Sequence, residues 1–184
     1  MLIPLGILAS AGGASAAYEL ISTTVLGSNT ASVTFTDGGS WSNYKHLQIR
    51  MTARSISAVT EVAAQIRLNS DTGANYAFHY LLGGGSTPFA GASTSSTNIS
   101  FYGMAGGSAT ANSFGVGIID ILDYASTSKN KTLRALTGVG ATKIGLGSGV
   151  WLNTAAVSSV LIYPEGTTSW ATGSRFSIYG VRGS

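Results

Sequence analysis

An all-β domain, folded as a single antiparallel jelly-roll-like β-sandwich behind an extended N-terminal arm, is the fold class this sequence predicts. Three observations predict it. Apolar residues recur with period two along most of the chain, glycine-rich punctuators separate those runs, and no helix-length 3.6-residue stripe with capping signals occurs. At 184 residues the chain fits one domain with a continuous core. More strands are expected than the roughly 100-residue immunoglobulin-type sandwich holds, which favours the jelly roll.

Residues 1–17, MLIPLGILASAGGASAA, are expected to form the arm and its hinge, and residues 18–184 the sandwich. The segment resembles a signal peptide in its apolar run and small residues. It lacks a basic n-region, since no Lys or Arg precedes Lys45, and Pro4 interrupts the run. Leu2–Ala9 is too short to span a bilayer, which takes about 20 apolar residues. The expectation is therefore an arm retained on the chain. Leu2, Ile3, Leu5, Ile7 and Leu8 are its candidate assembly-interface residues, each able to contribute roughly 1.5–3 kcal/mol when buried on a neighbour. Gly12 and Gly13 supply the hinge.

Strands are then expected in order. YELISTTVL (Tyr18–Leu26) comes first, then SVTFT with Val33 and Phe35 inward. In HLQIRMTAR, Leu47, Ile49, Met51 and Ala53 point one way and Gln48, Arg50, Thr52 and Arg54 the other. AVTEVAAQ (Ala58–Gln65) is the best candidate for a helical turn, weakened by its β-branched residues. AAQIRLNS buries Ile66 and Leu68, and NYAFHYLL (Asn75–Leu82) follows. FGVGIIDIL (Phe114–Leu122) and VSSVLIYP (Val157–Pro164) are continuously apolar, as central strands are. KTLRALTGV (Lys131–Val139) turns Leu133, Ala135 and Thr137 to one side, and RFSIYGVR (Arg175–Arg182) turns Phe176 and Ile178 inward. Turns are expected at Asp37-Gly38-Gly39, Asp71-Thr72-Gly73, Gly83-Gly84-Gly85, Gly106-Gly107, Glu165-Gly166 and Thr172-Gly173.

The chemistry is sparse. Charged residues make up 9 % of the chain, against about 25 % in typical soluble domains. A surface of Ser, Thr and 25 glycines suits a protein packed against copies of itself. The net charge of +3 is scattered singly, so nucleic acid is not an expected partner. Lys129, Lys131 and Arg134 form the nearest approach to a basic cluster, read as a solvated turn. The absence of cysteine excludes disulfides, Cys-based zinc sites and thiol catalysis.

His46 and His79 stand without metal-ligand spacing, and Gly147-Ser148-Gly149 reads as a glycine-flanked turn, not a nucleophile elbow. Asp120 and Asp123, three apart in a strand, point to opposite faces and do not make a glycosidase pair. Asn69–Asn75 offers oxygen ligands but lacks the position-12 carboxylate of a calcium loop, so an Asx-stabilised turn is expected. Trp41, Trp151 and Trp170 lie at loop or strand edges, where a core or subunit-interface role is favoured over stacking on sugar. No cofactor, metal or catalytic residue is expected.

Four segments are distinctive as a set: IRLNSDTGANYAFHYLLGGGS (Ile66–Ser86), IIDILDYASTSKNKTLRA (Ile118–Ala135), WLNTAAVSSVLI (Trp151–Ile162) and ATGSRFSIYGVRG (Ala171–Gly183). Together they resemble a family of small virion proteins of tailed bacteriophages that infect aquatic bacteria, cyanobacteria included. The likeness runs from Tyr18 to Gly183, with Ser70 where glycine is more usual. It implies a non-enzymatic structural protein of the virion, assembled in the host cytoplasm, with the major capsid protein or other virion proteins as partners and a homo-oligomer, by analogy a trimer, as its state. A capsid decoration or cement protein is the first expectation; a tail-fibre module contacting host glycan is the second.

Overall fold

A computed structural model describes residues 17–140 and 142–183. Twelve strands occur among them: β1 (Tyr18–Val25), β2 (Val33–Thr36), β3 (His46–Ala53), β4 (Glu61–Leu68), β5 (Tyr76–Gly84), β6 (Thr87–Ser96), β7 (Ile99–Ala105), β8 (Gly115–Leu122), β9 (Lys131–Val139), β10 (Lys143–Trp151), β11 (Ser159–Pro164) and β12 (Arg175–Val181). The described residues contain no helix, and Ala58–Gln65 runs from a bend straight into β4. The β-branched Val59, Thr60 and Val62 favour that outcome.

Two antiparallel sheets pack face to face. The wide one has eight strands in the order β1-β12-β3-β8-β9-β10-β5-β6, the narrow one four in the order β2-β11-β4-β7. Setting aside the hairpins β5–β6 and β9–β10 leaves β1-β12-β3-β8 facing β2-β11-β4-β7. Successive strands then alternate between sheets except where β4 pairs with β7, which is the winding of a jelly roll. Both hairpins add to one sheet and double its width.

Period-two alternation forms these strands and packs them. In β3, Leu47, Ile49, Met51 and Ala53 are buried while Arg50 and Thr52 face out. Inward residues of β2, β4, β11 and β12 meet them in one apolar cluster that includes Phe35, Ile66, Ile162 and Ile178. All three tryptophans are in that cluster. Trp41 meets Tyr124 edge-on at 5.9 Å, Trp151 stacks on Tyr76 at 6.4 Å, and Trp170 packs on Phe176 at 5.4 Å. The core role expected of them holds.

Over the added half of the wide sheet, packing is organised differently. Strand β7 lies across β9, β10 and β5, and the inward positions in the middle of β10 are Gly145, Gly147 and Gly149. A Cβ at Gly147 would sit 2.6 Å from Cδ1 of Phe101, and one at Gly149 2.6 Å from Cγ2 of Ile99. The glycines therefore let two large β7 side chains lie directly on the β10 backbone. Gly147-Ser148-Gly149 is thus the middle of a strand, not the turn its composition suggested.

A second correction concerns Lys131. It is fully buried, its ammonium donating to the carbonyls of Lys129 at 2.8 Å and Thr154 at 3.0 Å, and burial lowers its pKa. Its neighbours Lys129 and Arg134 are exposed, so the expected solvated basic turn does not exist as a unit. The arm residues Leu2, Ile3, Leu5, Ile7 and Leu8 lie outside the described residues.

Candidate functional site

The two faces of the wide sheet differ from an ordinary sandwich, in which the outer face is polar. Cross-strand register lines up Arg50 (β3), Ile118 (β8), Leu136 (β9), Leu146 (β10), Leu81 (β5) and Ala90 (β6) in one row across the outer face. One register step along, Val116 and Ile144 flank Gly138 in a parallel row. Leu81, Val116, Ile118, Leu136, Ile144 and Leu146 are 42–58 % exposed. These are ordered aliphatic side chains, neighbours across strands, with water on one side. A contiguous patch of this kind marks a binding surface, whereas a scattered exposed leucine marks nothing.

Shape reinforces the pattern. Two shallow depressions of about 590 and 570 Å³ adjoin along the face and share Ile118 and Leu136. The first opens toward β5, and the second runs back across β3 and β12 to Leu20 and Thr23 of β1. A third, of about 270 Å³, continues past Leu146 to Pro88 of β6.

Charge is confined to the rim. Asp120 is held by Arg134 Nε at 2.8 Å and by Gln48 Nε2 at 2.8 Å, and Gln48 in turn accepts from Arg50 Nε at 2.8 Å. The Arg50 guanidinium lies over the rings of Tyr179 at 4.6 Å and Tyr18 at 5.5 Å. At the opposite border Lys143 pairs with Glu61. An aliphatic centre with a hydrogen-bonded polar edge is the anatomy of a protein-binding surface.

The residues examined for catalysis do not converge. Ser148 and His79 are register partners, yet no hydrogen bond joins them among the described residues, and Asp120 lies two strands from Ser148 in the grip of Arg134 and Gln48. Asp123 sits at positive φ in the turn after β8, apart from Asp120. A hydrogen bond from Lys129 Nζ at 2.9 Å, together with nearby Lys45, holds its carboxyl below the usual carboxylate range. His46 Nδ1 accepts the Asp123 backbone N–H at 2.9 Å, a turn-closing role. Among the described residues, no three of His, Cys, Asp and Glu gather as a metal cluster would require.

The motif residues serve construction. Asp71 Oδ1 accepts the Gly73 N–H at 2.7 Å, closing the expected Asx turn, and Oδ2 accepts from Trp151 Nε1 at 2.7 Å and Asn75 Nδ2 at 2.9 Å. These donors, Trp151 foremost, hold Asp71 below its ordinary pKa. Asn69 Oδ1 accepts the N–H groups of Ser158 at 2.7 Å and Ser159 at 3.2 Å, and its amide donates to Ala156 at 2.8 Å. Tyr76 donates to Leu68, and burial pushes its phenol up to about 12. Two of the distinctive segments, Ile66–Ser86 and Trp151–Ile162, thus meet at one corner, as scaffold.

Sequence reasoning placed its candidate interface residues on the arm, outside the described residues, and did not single out the outer face. The signal was present. Leu136 occupies the side of Lys131–Val139 opposite Leu133 and Ala135, and Val116 and Ile118 occupy the side of β8 opposite Ile119 and Ile121. A strand apolar on both sides reads as central and doubly covered, and these are covered on one side only. No family model, no curated protein and no solved structure matches the chain.

Proposed function

We propose that this chain is a non-enzymatic structural subunit of a bacteriophage particle, a decoration or cement protein that reinforces the capsid by apolar docking. The observation that carries the reading is the ordered aliphatic row on the outer face of the wide sheet, a surface made for protein contact on a body with few charges. The jelly-roll winding alone would not support it, because one fold hosts many functions. The resemblance of the four segments to small phage virion proteins adds the virion to a surface that otherwise indicates only assembly.

The mechanism is repetition. Each docked leucine or isoleucine contributes roughly 1.5–3 kcal/mol, and symmetry multiplies modest contacts into collective resistance to internal pressure. The partners in this reading are the major capsid protein, other virion proteins and further copies of the chain, in a trimer. Burial of Trp41, Trp151 and Trp170 takes these three rings out of reach of a glycan, which weighs against the tail-fibre reading.

The test is a reconstruction of particles that carry the chain. Hundreds of icosahedrally arranged copies on the shell are expected. A few copies at the tail would replace this reading with the fibre, and absence from particles would overturn both.

A further inference from the structure

The aliphatic face needs an occupant, and the chain carries a segment of matching chemistry. We propose that residues 2–8 of one copy lie across the β8-β9-β10-β5 face of a neighbouring copy, so that the subunits are joined by exchanged arms. This deepens the assembly reading above and rests on it.

Composition makes the first argument. Residues 1–18 contain no charged side chain, and LIPLGIL is aliphatic apart from its glycine and proline. In an extended segment, Ile3, Leu5 and Ile7 fall on one side. They would meet a face whose centre, Ile118, Leu136, Leu146 and Leu81, is aliphatic and uncharged, with His79 and the charges of Arg50, Asp120 and Arg134 around it. An occupant with a charged or glycan-like surface would leave this centre unsatisfied.

Length makes the second. The face spans four strands, roughly 14 Å at about 4.8 Å per strand spacing, and seven extended residues cover about 23 Å. Residues 2–8 therefore cross it completely. The depression that runs back to Leu20 and Thr23 shows that the hollow continues beyond the aliphatic centre.

Direction selects the neighbour. The Arg182 N–H donates to the Ala17 carbonyl at 3.1 Å, so the ladder between β1 and β12 continues past Tyr18. Followed backward, β1 and Ala17 point along the strand axis toward the end of the sheet where Val181 and His46 pair. Eight residues, 9–16, can span about 26 Å when extended. The chain's own face also lies within that span, but reaching it would take a reversal against the direction of β1.

The natural sequence contains no cysteine, which makes the test direct. Full-length L5C and full-length L146C chains, carrying different tags, are mixed and oxidised. A disulfide between the two tagged chains is the expected result. A disulfide formed only within single chains of the L5C/L146C double variant would overturn the exchange, as would no disulfide in either case. In parallel, the L136K/L146K variant changes only exposed positions and is expected to keep its thermal midpoint. Its self-association, read by light scattering, should weaken at least ~100-fold. Undiminished association would overturn the inference. Location on the particle is read separately, so arm exchange by a protein that particles lack would sink the virion reading alone.

Discussion

Strands β3 and β10 lie in the same sheet and have opposite sections. In β3 the bulk faces inward, with Leu47, Ile49 and Met51 buried and Arg50 and Thr52 in water. In the middle of β10 the inward positions are Gly145, Gly147 and Gly149, with Trp151 the buried side chain at its end, while Ile144 and Leu146 stand outside. Both alternate with period two. The difference teaches that alternation fixes which residues share a face and leaves open which face is the core. What decides is the partner: β3 meets the narrow sheet at side-chain distance, whereas β7 rests its own side chains on the backbone of β10.

The strongest way to break the comparison is to give the middle of β10 an inward side chain. Gly147→Val would drive a branched group into Phe101, whose ring is already enclosed. The expected loss is about 3 kcal/mol or more, read as a large fall in the denaturation midpoint or failure to fold. The matching change in β3, Ile49→Ala, removes bulk where bulk is needed and should lose about 3 kcal/mol through the cavity it leaves. If Gly147→Val proved milder than Ile49→Ala, the contrast between the two strands would be wrong.

Smaller effects sharpen the picture where β10 ends. Trp151 is tied to the turn before β5 through Asp71, and Asp71→Asn should lose about 1 kcal/mol at neutral pH. The folded carboxyl is held below its ordinary value, so its contribution is present at neutral pH and disappears as pH falls from about 4 through the lowered folded value. Wild type and variant should therefore converge in acid, a trend that denaturant melts at a series of pH values would follow. A constant gap would mean that the carboxylate is not the source. The smallest expected effect is at Ser70, whose φ of 56° lies in the left-handed region. Ser70→Gly should raise stability by about 0.5 kcal/mol, and a loss there would show that the serine hydroxyl matters more than the backbone.

Period-two patterning exposed the strands that resemble β3, and Asp71-Thr72-Gly73 announced its turn by composition. The strands that escaped are those in which packing breaks the usual alternation. Strand β10 hides its apolar set among glycines, and β7, ISFYGMA, is buried along nearly its whole length. Strand β6, TPFAGASTSS, lies at an edge with no apolar face and carries Pro88, so nothing marks it as extended except its partner β5. The binding face escaped for a further reason. Ile118, Leu136, Leu146 and Leu81 come from four separate strands, and only the pairing register brings them together. Lys131 was misread because a lysine beside another lysine suggests solvent, while one of its two carbonyl acceptors, Thr154, comes from a distant part of the chain.

The position of β12 also governs how the molecule comes into being. It lies between β1 and β3, so residues 18–25 find their hydrogen-bonding partner only in residues 175–181. Hairpins such as β9–β10 can form while the polypeptide is still emerging from the ribosome, but the wide sheet stays split until β12 has been translated and slots in. The two parts of the wide sheet, β1 on one side and β3-β8-β9-β10-β5-β6 on the other, are thus joined only after residues 175–181 have been made.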